Sequence, residues 1–177
     1  MVRVSELRGK VVITVPEGEK IGTVEDVLLR PEEQRLGALV VKSSSFAGPQ
    51  ILLAADISSV GGDAVATQSA EKLQDQARFS ESVQESVQLV SVGESSGRKV
   101  ATSSGNYVGD LSDVHIDPVT GKVTGYEVTG GLFERMFGRS HTIKASEYSR
   151  LGKDMLIVAD EAIPAQHAEE FHPPAQQ

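Results

Sequence analysis

Residues 9–42 read GKVVITVPEGEKIGTVEDVLLRPEEQRLGALVVK, and residues 97–129 read GRKVATSSGNYVGDLSDVHIDPVTGKVTGYEVT. Set side by side, Gly22 matches Gly109, Asp26-Val27 matches Asp113-Val114, and Pro31 matches Pro118, all at an offset of 87. A one-residue slip then carries Gly37-Ala38-Leu39-Val40-Val41 onto Gly125-Tyr126-Glu127-Val128-Thr129. Further on, Gly62-Asp63-Ala64-Val65 falls on Lys153-Asp154-Met155-Leu156. An ordered series of matches marks a duplicated unit, and a repeat decides the fold before any single element does. Two copies are expected, over residues 1–67 and 97–160, joined by 68–96.

Each copy has the punctuation of short strands. Residues 11–15 and 99–102 are β-rich runs that lead into the turn clusters Pro16-Glu17-Gly18 and Ser103-Ser104-Gly105-Asn106. Residues 22–29 and 109–116 alternate imperfectly, which predicts a bulge or a bent strand. Asp117-Pro118-Val119-Thr120-Gly121-Lys122 is a turn signal, since Pro presets φ and Gly supplies a positive one. Residues 39–41 and 126–128 return as partner strands, followed by strands at 51–54, 141–144, 64–67 and 155–158. The reading is an all-β fold of two small barrels in tandem, with a short helix in the connector. The connector is acidic. Leu73, Ala77, Val83 and Val87 fall at helical spacing, and Ser69 is placed to cap a helix over 70–78. A linker helix and a mobile connector both fit it. Residues 161–177 contain Pro164, Pro173 and Pro174 and are expected to form a flexible tail.

Composition narrows the function classes. The 177 residues include no Cys and no Trp, only three Tyr and five Phe, so the core must be built from Val, Ile, Leu and Ala. Without Cys there is no disulfide scaffold, thiolate zinc site or cysteine nucleophile. The net charge of −8 argues against a nucleic-acid partner, which calls for a basic face. No stretch approaches the length of apolar chain that spans a membrane, and a cytoplasmic protein is expected.

The blocks aligned above also carry a resemblance. Gly9-Lys10, Ile21-Gly22, Asp26-Val27, Leu29-Arg30-Pro31 and Gly37-Ala38 form one set, and Gly97-Arg98, Val108-Gly109, Asp113-Val114, Ile116-Asp117-Pro118 and Gly125-Tyr126 a second. The twice-occurring pattern resembles the PRC-barrel family, over residues 7–67 and 97–159. The resemblance implies a compact β-barrel that docks on a partner and carries out no chemistry of its own. Such proteins are similar to the cytoplasmic barrel of the photosynthetic reaction-centre H subunit and to the C-terminal domain of a ribosome maturation factor. Residues 1–20 differ from the H subunit's membrane helix, because they include Arg3, Glu6, Arg8, Lys10, Glu17, Glu19 and Lys20. The ribosome factor carries a different N-terminal domain where this chain has a second barrel. An accessory role of either kind is an alternative by analogy only.

No catalytic residue and no cofactor is expected. The four histidines show no metalloprotease spacing, no Ser lies in a nucleophile elbow, and no Gly-rich segment fits a phosphate cradle. Asp113, His115 and Asp117 stand two apart, so a regular strand would point them to one face as a candidate divalent-metal site. The competing reading gives Asp113 a turn or backbone hydrogen bond, His115 a solvent-side position and Asp117 the first place of the turn. His167 and His172 fall in the tail.

The remaining feature is Gly130-Gly131-Leu132-Phe133-Glu134-Arg135-Met136-Phe137-Gly138-Arg139. Phe133, Met136 and Phe137 form an i, i+3, i+4 stripe, and Arg135 and Arg139 a basic edge. The stripe serves either as a plug for the second barrel or as a docking surface, since Phe, Met and Arg are enriched in interface cores. The first copy offers only Phe46 there. The expected role is a non-catalytic protein-interaction or assembly module, with an unidentified protein partner or a second copy of the chain as its occupant. A metal-binding or enzymatic protein using Asp113, His115 and Asp117 is the alternative from another class.

Overall fold

The computed structural model describes residues 1–83 and 88–163, with the backbone alone for Ser82, Val83, Phe133 and Phe137. From residue 164 onward the expected tail, with His167 and His172, lies outside the described residues. The first repeat runs β1 (Val2–Arg3), α1 (Val4–Leu7), β2 (Val11–Thr14), β3 (Lys20–Arg30), β4 (Arg35–Ser43), β5 (Pro49–Leu53), β6 (Ile57–Val60) and β7 (Ala64–Thr67). Then follow β8 (Gln74–Asp75), α2 (Gln76–Val83), β9 (Val90–Ser91) and α3 (Val92–Ser95). The second repeat continues with β10 (Lys99–Thr102), β11 (Tyr107–Ile116), β12 (Val123–Thr129), α4 (Gly131–Phe137), β13 (His141–Lys144), β14 (Arg150–Leu151) and β15 (Met155–Val158).

Among the described residues the strands form two sheets, and the fold is all-β. One has the order β6-β7-β2-β3-β4-β5-β8, the other β13-β12-β11-β10-β15-β14. In each, a short early strand pairs in parallel with the last, β2 with β7 and β10 with β15: Val12 lies opposite Val65 in one, Val100 opposite Leu156 in the other. The imperfect alternation has its cause in bulges at equivalent places, between Val24 and Asp26 and between Leu111 and Asp113. A bulge rotates the following side chains, so Val27 and Leu29 stay in the core while Asp26 turns away.

Two local expectations are corrected. The slip that sets Gly37 on Gly125 does not occur in the ladder. Leu28 pairs with Ala38 and His115 with Gly125, so the offset of 87 holds through Val41 and Val128. The extra residue of the first repeat sits in the turn between β2 and β3 instead. Gly37 and Gly125 are each glycine for a separate reason. A Cβ on Gly37 would come 2.6 Å from Leu89 Cδ2, and one on Gly125 would come 2.9 Å from Thr142 Cγ2. The helix expected over 70–78 is the second correction. Ser69 caps only a 3-10 turn over Ala70–Lys72, accepting from Glu71 N. The chain then extends to pair Gln74 with Ile51 before α2 begins, a case of tertiary pairing overriding local propensity.

Tertiary pairing also decides how the repeats are joined. β1 does not stay with its own repeat: Val2 lies opposite Ile116 and Arg3 opposite His115. β9, which leads the second repeat, pairs back onto the first, with Val90 opposite Leu29 and Ser91 opposite Leu28. Val2 and Val90, and Ile116 and Leu29, occupy equivalent places in the two repeats, so the exchange is reciprocal. One apolar cluster runs through both repeats, from Val4, Leu7, Val27 and Leu39 to Val92, Val114, Tyr126 and Leu156. The two barrels are therefore not beads on a string. A second, smaller cluster lies on the outer face of the first sheet, where Ala38, Val40 and Ile51 are covered by Phe79 of α2. The equivalent face of the second sheet carries His115, Gly125 and Glu127 in place of Leu28, Ala38 and Val40.

Candidate functional site

The residues with the most chemical promise in the sequence stand at the junction of the repeats. Asp113 follows the β11 bulge and is 8 % exposed. Its Oδ1 accepts from Val114 N at 2.8 Å and from Ser5 N at 3.2 Å, and its Oδ2 accepts from Ser5 Oγ. Ser5 belongs to α1, so Asp113 holds the exchanged leader of the first repeat. Asp26, at the equivalent place, does the same in reverse. It accepts from Gly93 N at 3.1 Å and from Ser91 Oγ, both in the leader of the second repeat, from Val27 N at 2.8 Å, and from Arg8 Nη2 at 3.0 Å. The matched Asp-Val pairs are thus two halves of a reciprocal clasp.

His115 is not solvent-facing: it is 9 % exposed, because β1 pairs across it. Its Nε2 meets Glu127 Oε2 at 3.2 Å and its Nδ1 meets Met1 Sδ at 3.2 Å. Arg3 Nε also reaches Glu127 Oε2, at 3.4 Å. Burial pushes the Glu127 carboxyl up, but hydrogen bonds from Ser140 and His115 and the Arg3 charge outweigh it and leave it below its ordinary value. Asp117 is spent differently, as the cap of its own turn, accepting from Val119 N at 2.7 Å and Thr120 N at 3.0 Å. Those two amides hold its carboxyl below the usual range. Asp113, His115 and Asp117 therefore each have separate partners, and among the described residues no group of three His, Asp or Glu side chains is placed to hold a metal ion.

The hairpin tips form a second junction. Gln34 has φ +49, alone among the described non-glycine residues in that region. It aims its amide across the repeats, Nε2 donating to Ser146 O at 2.7 Å and Ser149 O at 2.8 Å. Arg35 forms a bridge with Lys122, and its Nη2 donates to Thr120 O at 2.8 Å. Main-chain bonds run both ways, from Leu36 N to Gly121 O at 2.7 Å and from Val123 N to Gln34 O at 2.8 Å. Gln34 was legible in principle: its counterpart is Gly121, and a residue matched to a turn glycine invites the left-handed conformation. Ser5 and Ser91 carried no comparable signal.

The segment 130–139 folds as α4. It is closed by Gly138 in the left-handed conformation, whose N–H donates to Glu134 O at 2.9 Å. α4 packs on β11, β12 and β13. Leu132 and Met136 are half-buried, while Glu134, Arg135 and Arg139 are exposed. The side chains of Phe133 and Phe137 lie outside the described ones. In the first repeat Phe46 is 54 % exposed, in a loop where Ser43 Oγ accepts from Ser45 N and Phe46 N. The offset between repeats rises from 87 before this point to 91 after it, so the connection that carries α4 is four residues longer than its counterpart in the first repeat. Among the described residues no helix is long and apolar enough to cross a membrane.

No curated protein matches the chain. A family model, the PRC-barrel domain, matches residues 1–74 and again residues 90–162, so that each match includes the exchanged leader of its repeat. With both halves matched, each leader and each bulged long strand included, the chain belongs to the PRC-barrel domain family in two tandem copies.

Proposed function

We propose that the chain is a non-catalytic interaction or assembly module, and that its protein partner docks on the α4 edge of the second repeat. Arg135, Met136 and Arg139, with Phe133 and Phe137 of the same stripe, are the contact candidates, and Phe46 is their lesser counterpart in the first repeat. PRC-barrel domains are in general non-catalytic, which supports the first half of this reading. The observation that carries the second half is the insertion itself. It sets a helix bearing the exposed Arg135, with the exposed Arg139 just past its Gly138 cap, where the otherwise matched strands differ most, in a chain of net charge −8. Asp113 and Asp117, the carboxylates of the metal reading, are engaged by Ser5 and by turn amides. No nucleic-acid contact and no cofactor enter the proposal, and its setting is the cytoplasm.

The test is affinity purification of the wild-type chain beside Arg135→Glu/Arg139→Glu, with light scattering on both. Both substituted side chains are exposed, so the melting temperature should hold. A partner, or a second copy, retained by the wild type and lost from the variant is the expected result. Identical recovery from the wild type and the variant defeats the α4 assignment. Stoichiometric metal in the purified protein, lost in His115→Ala, would replace the reading with a metal-dependent one.

A further inference from the structure

The two interlocked hairpin tips are not equivalent, and the difference leaves a cleft. On one side the Gln34 side chain crosses to the second repeat and gives its two amide hydrogens to the carbonyls of Ser146 and Ser149. On the other side the matching tip residue is Gly121, at φ +73, which has no side chain to send. The segment preceding β14 is related to the segment preceding β6 by the offset of 91, which sets Ala55 and Ser58 at the places of Ser146 and Ser149, although the turn closes one residue earlier here, Ile57 N donating to Ala54 O where Ser149 N donates to Ser146 O. Both residues line a cleft of about 430 Å³ between the first repeat and the 118–121 tip. The cleft therefore occupies the place that Gln34 fills in the other half.

Its lining carries one net positive charge. Arg30 and Glu33 at the rim pair with each other at 3.2 Å, and Arg35 is spent on Thr120 O. Leu36, Leu53 and Val119 give it apolar wall. The volume falls in the range of small-ligand sites, roughly 300–1,000 Å³. Beside Gln34 itself there remains a depression of about 350 Å³, but Glu32, Glu33, Lys122, Glu147 and Arg150 line it, so it does not share this character.

We propose that this cleft binds a primary carboxamide, the group carried by Gln and Asn side chains. The amide hydrogens donate to main-chain carbonyls of the 54–58 turn, as Gln34 donates to Ser146 and Ser149, and the methylene stem lies against Leu36, Leu53 and Val119. The site shares no residue with the α4 surface and does not depend on the docking proposal.

The test is NMR titration of the full chain with N-acetyl-L-glutamine methylamide. Saturable shifts of the Ala55, Ser58, Ser59 and Gly121 amides are expected. The methionine and glutamate analogues should bind about tenfold more weakly, the factor expected for about 1.4 kcal/mol of lost hydrogen bonding. Free L-glutamine is a further arm. Equal binding by it identifies a free amino acid as the source, and binding by the blocked probe alone identifies a side chain within a polypeptide. Gly121→Gln supplies the missing side chain internally; a Cβ there would meet only Leu36 Cβ, at an ordinary 3.4 Å, and Leu36 N at 4.0 Å. This variant should lose the probe shifts, while at φ +73 the backbone strain of a non-glycine residue offsets any gain in its urea midpoint. Absence of saturable shifts over 55–59 in the wild type overturns the proposal, as does equal binding of the methionine analogue. The wild-type titration decides the matter even if Gly121→Gln does not fold.

Discussion

Replacing Asp113 with Ala removes the acceptor for Val114 N, Ser5 N and Ser5 Oγ in one step. A hydrogen bond to a charged group contributes about 1.5–3 kcal/mol, so three taken at face value would total about 4.5–9 kcal/mol. That sum is too large, because Ser5 is exposed and its groups return to water when released. The Val114 amide is buried and cannot do so; leaving it unpaired costs about 1–3 kcal/mol. Adding about one net bond for the Ser5 pair gives roughly 3 kcal/mol for Asp113→Ala, a sizeable share of the 5–15 kcal/mol typical of a folded domain. Asp113→Asn keeps an acceptor for Val114 and should cost about half as much. The assay is urea unfolding, with the midpoint read at unchanged slope. A double-mutant cycle with Ser5→Ala separates the clasp from the bulge, since only the clasp couples residues 108 positions apart. A coupling energy of about 1–2 kcal/mol is expected. Additive single substitutions, or a loss for Asp113→Ala no greater than for the turn-cap variant Asp117→Ala, would refute the reasoning.

Three further outcomes follow from the same geometry. Gly109→Ala should cost roughly 2–3 kcal/mol, because the new Cβ would lie 2.7 Å from Thr129 O and 2.7 Å from Val128 Cγ1 and must push two paired strands apart. Gly22→Ala should behave alike, with Lys42 O and Val41 Cγ1 both at 2.6 Å, whereas Gly62→Ala has open space and should be silent in the same unfolding assay. Burial pushes the Tyr126 phenol up to about 12 from an ordinary 10, partly opposed by Arg150. The unfolded chain then loses this proton first as pH rises, so the stabilisation is complete below pH 10 and is lost by about pH 12. That amounts to about 3 kcal/mol, and phenolate absorbance should show Tyr126 ionising well above an ordinary phenol.

Much of the strand order was legible because it is written locally. Each long strand announces its bulge by broken alternation, each hairpin by its Pro and Gly, and the repetition confirms every reading twice. What could not be read is which sheet a short leader joins. Val2-Arg3-Val4 and Val90-Ser91-Val92 present the same apolar pattern, and the strands awaiting them, around Leu29 and Ile116, are equivalent by duplication. Pairing within a repeat or across repeats satisfies that pattern equally well, and the choice lies in chain geometry. The same blindness hid the purpose of Asp26 and Asp113, whose partners stand 67 and 108 residues away. The slip near Gly37 had a simpler source, two neighbouring glycines cleared for two different side chains. The outer face of the first sheet was not legible either: only the placement of Phe79 shows that this face is covered, while His115 and Glu127 serve the second.

Cross-strand NOE spectroscopy on the intact chain tests the exchange itself. The expected pattern is α-proton contact across β1 and β11, linking Val2 and Arg3 to His115 and Ile116, with the mirror set linking Val90 and Ser91 to Leu28 and Leu29. Contacts from Val2 to Leu29, with Val90 meeting Ile116, would mean that each leader closes its own barrel, and the clasped two-repeat unit described here would be wrong.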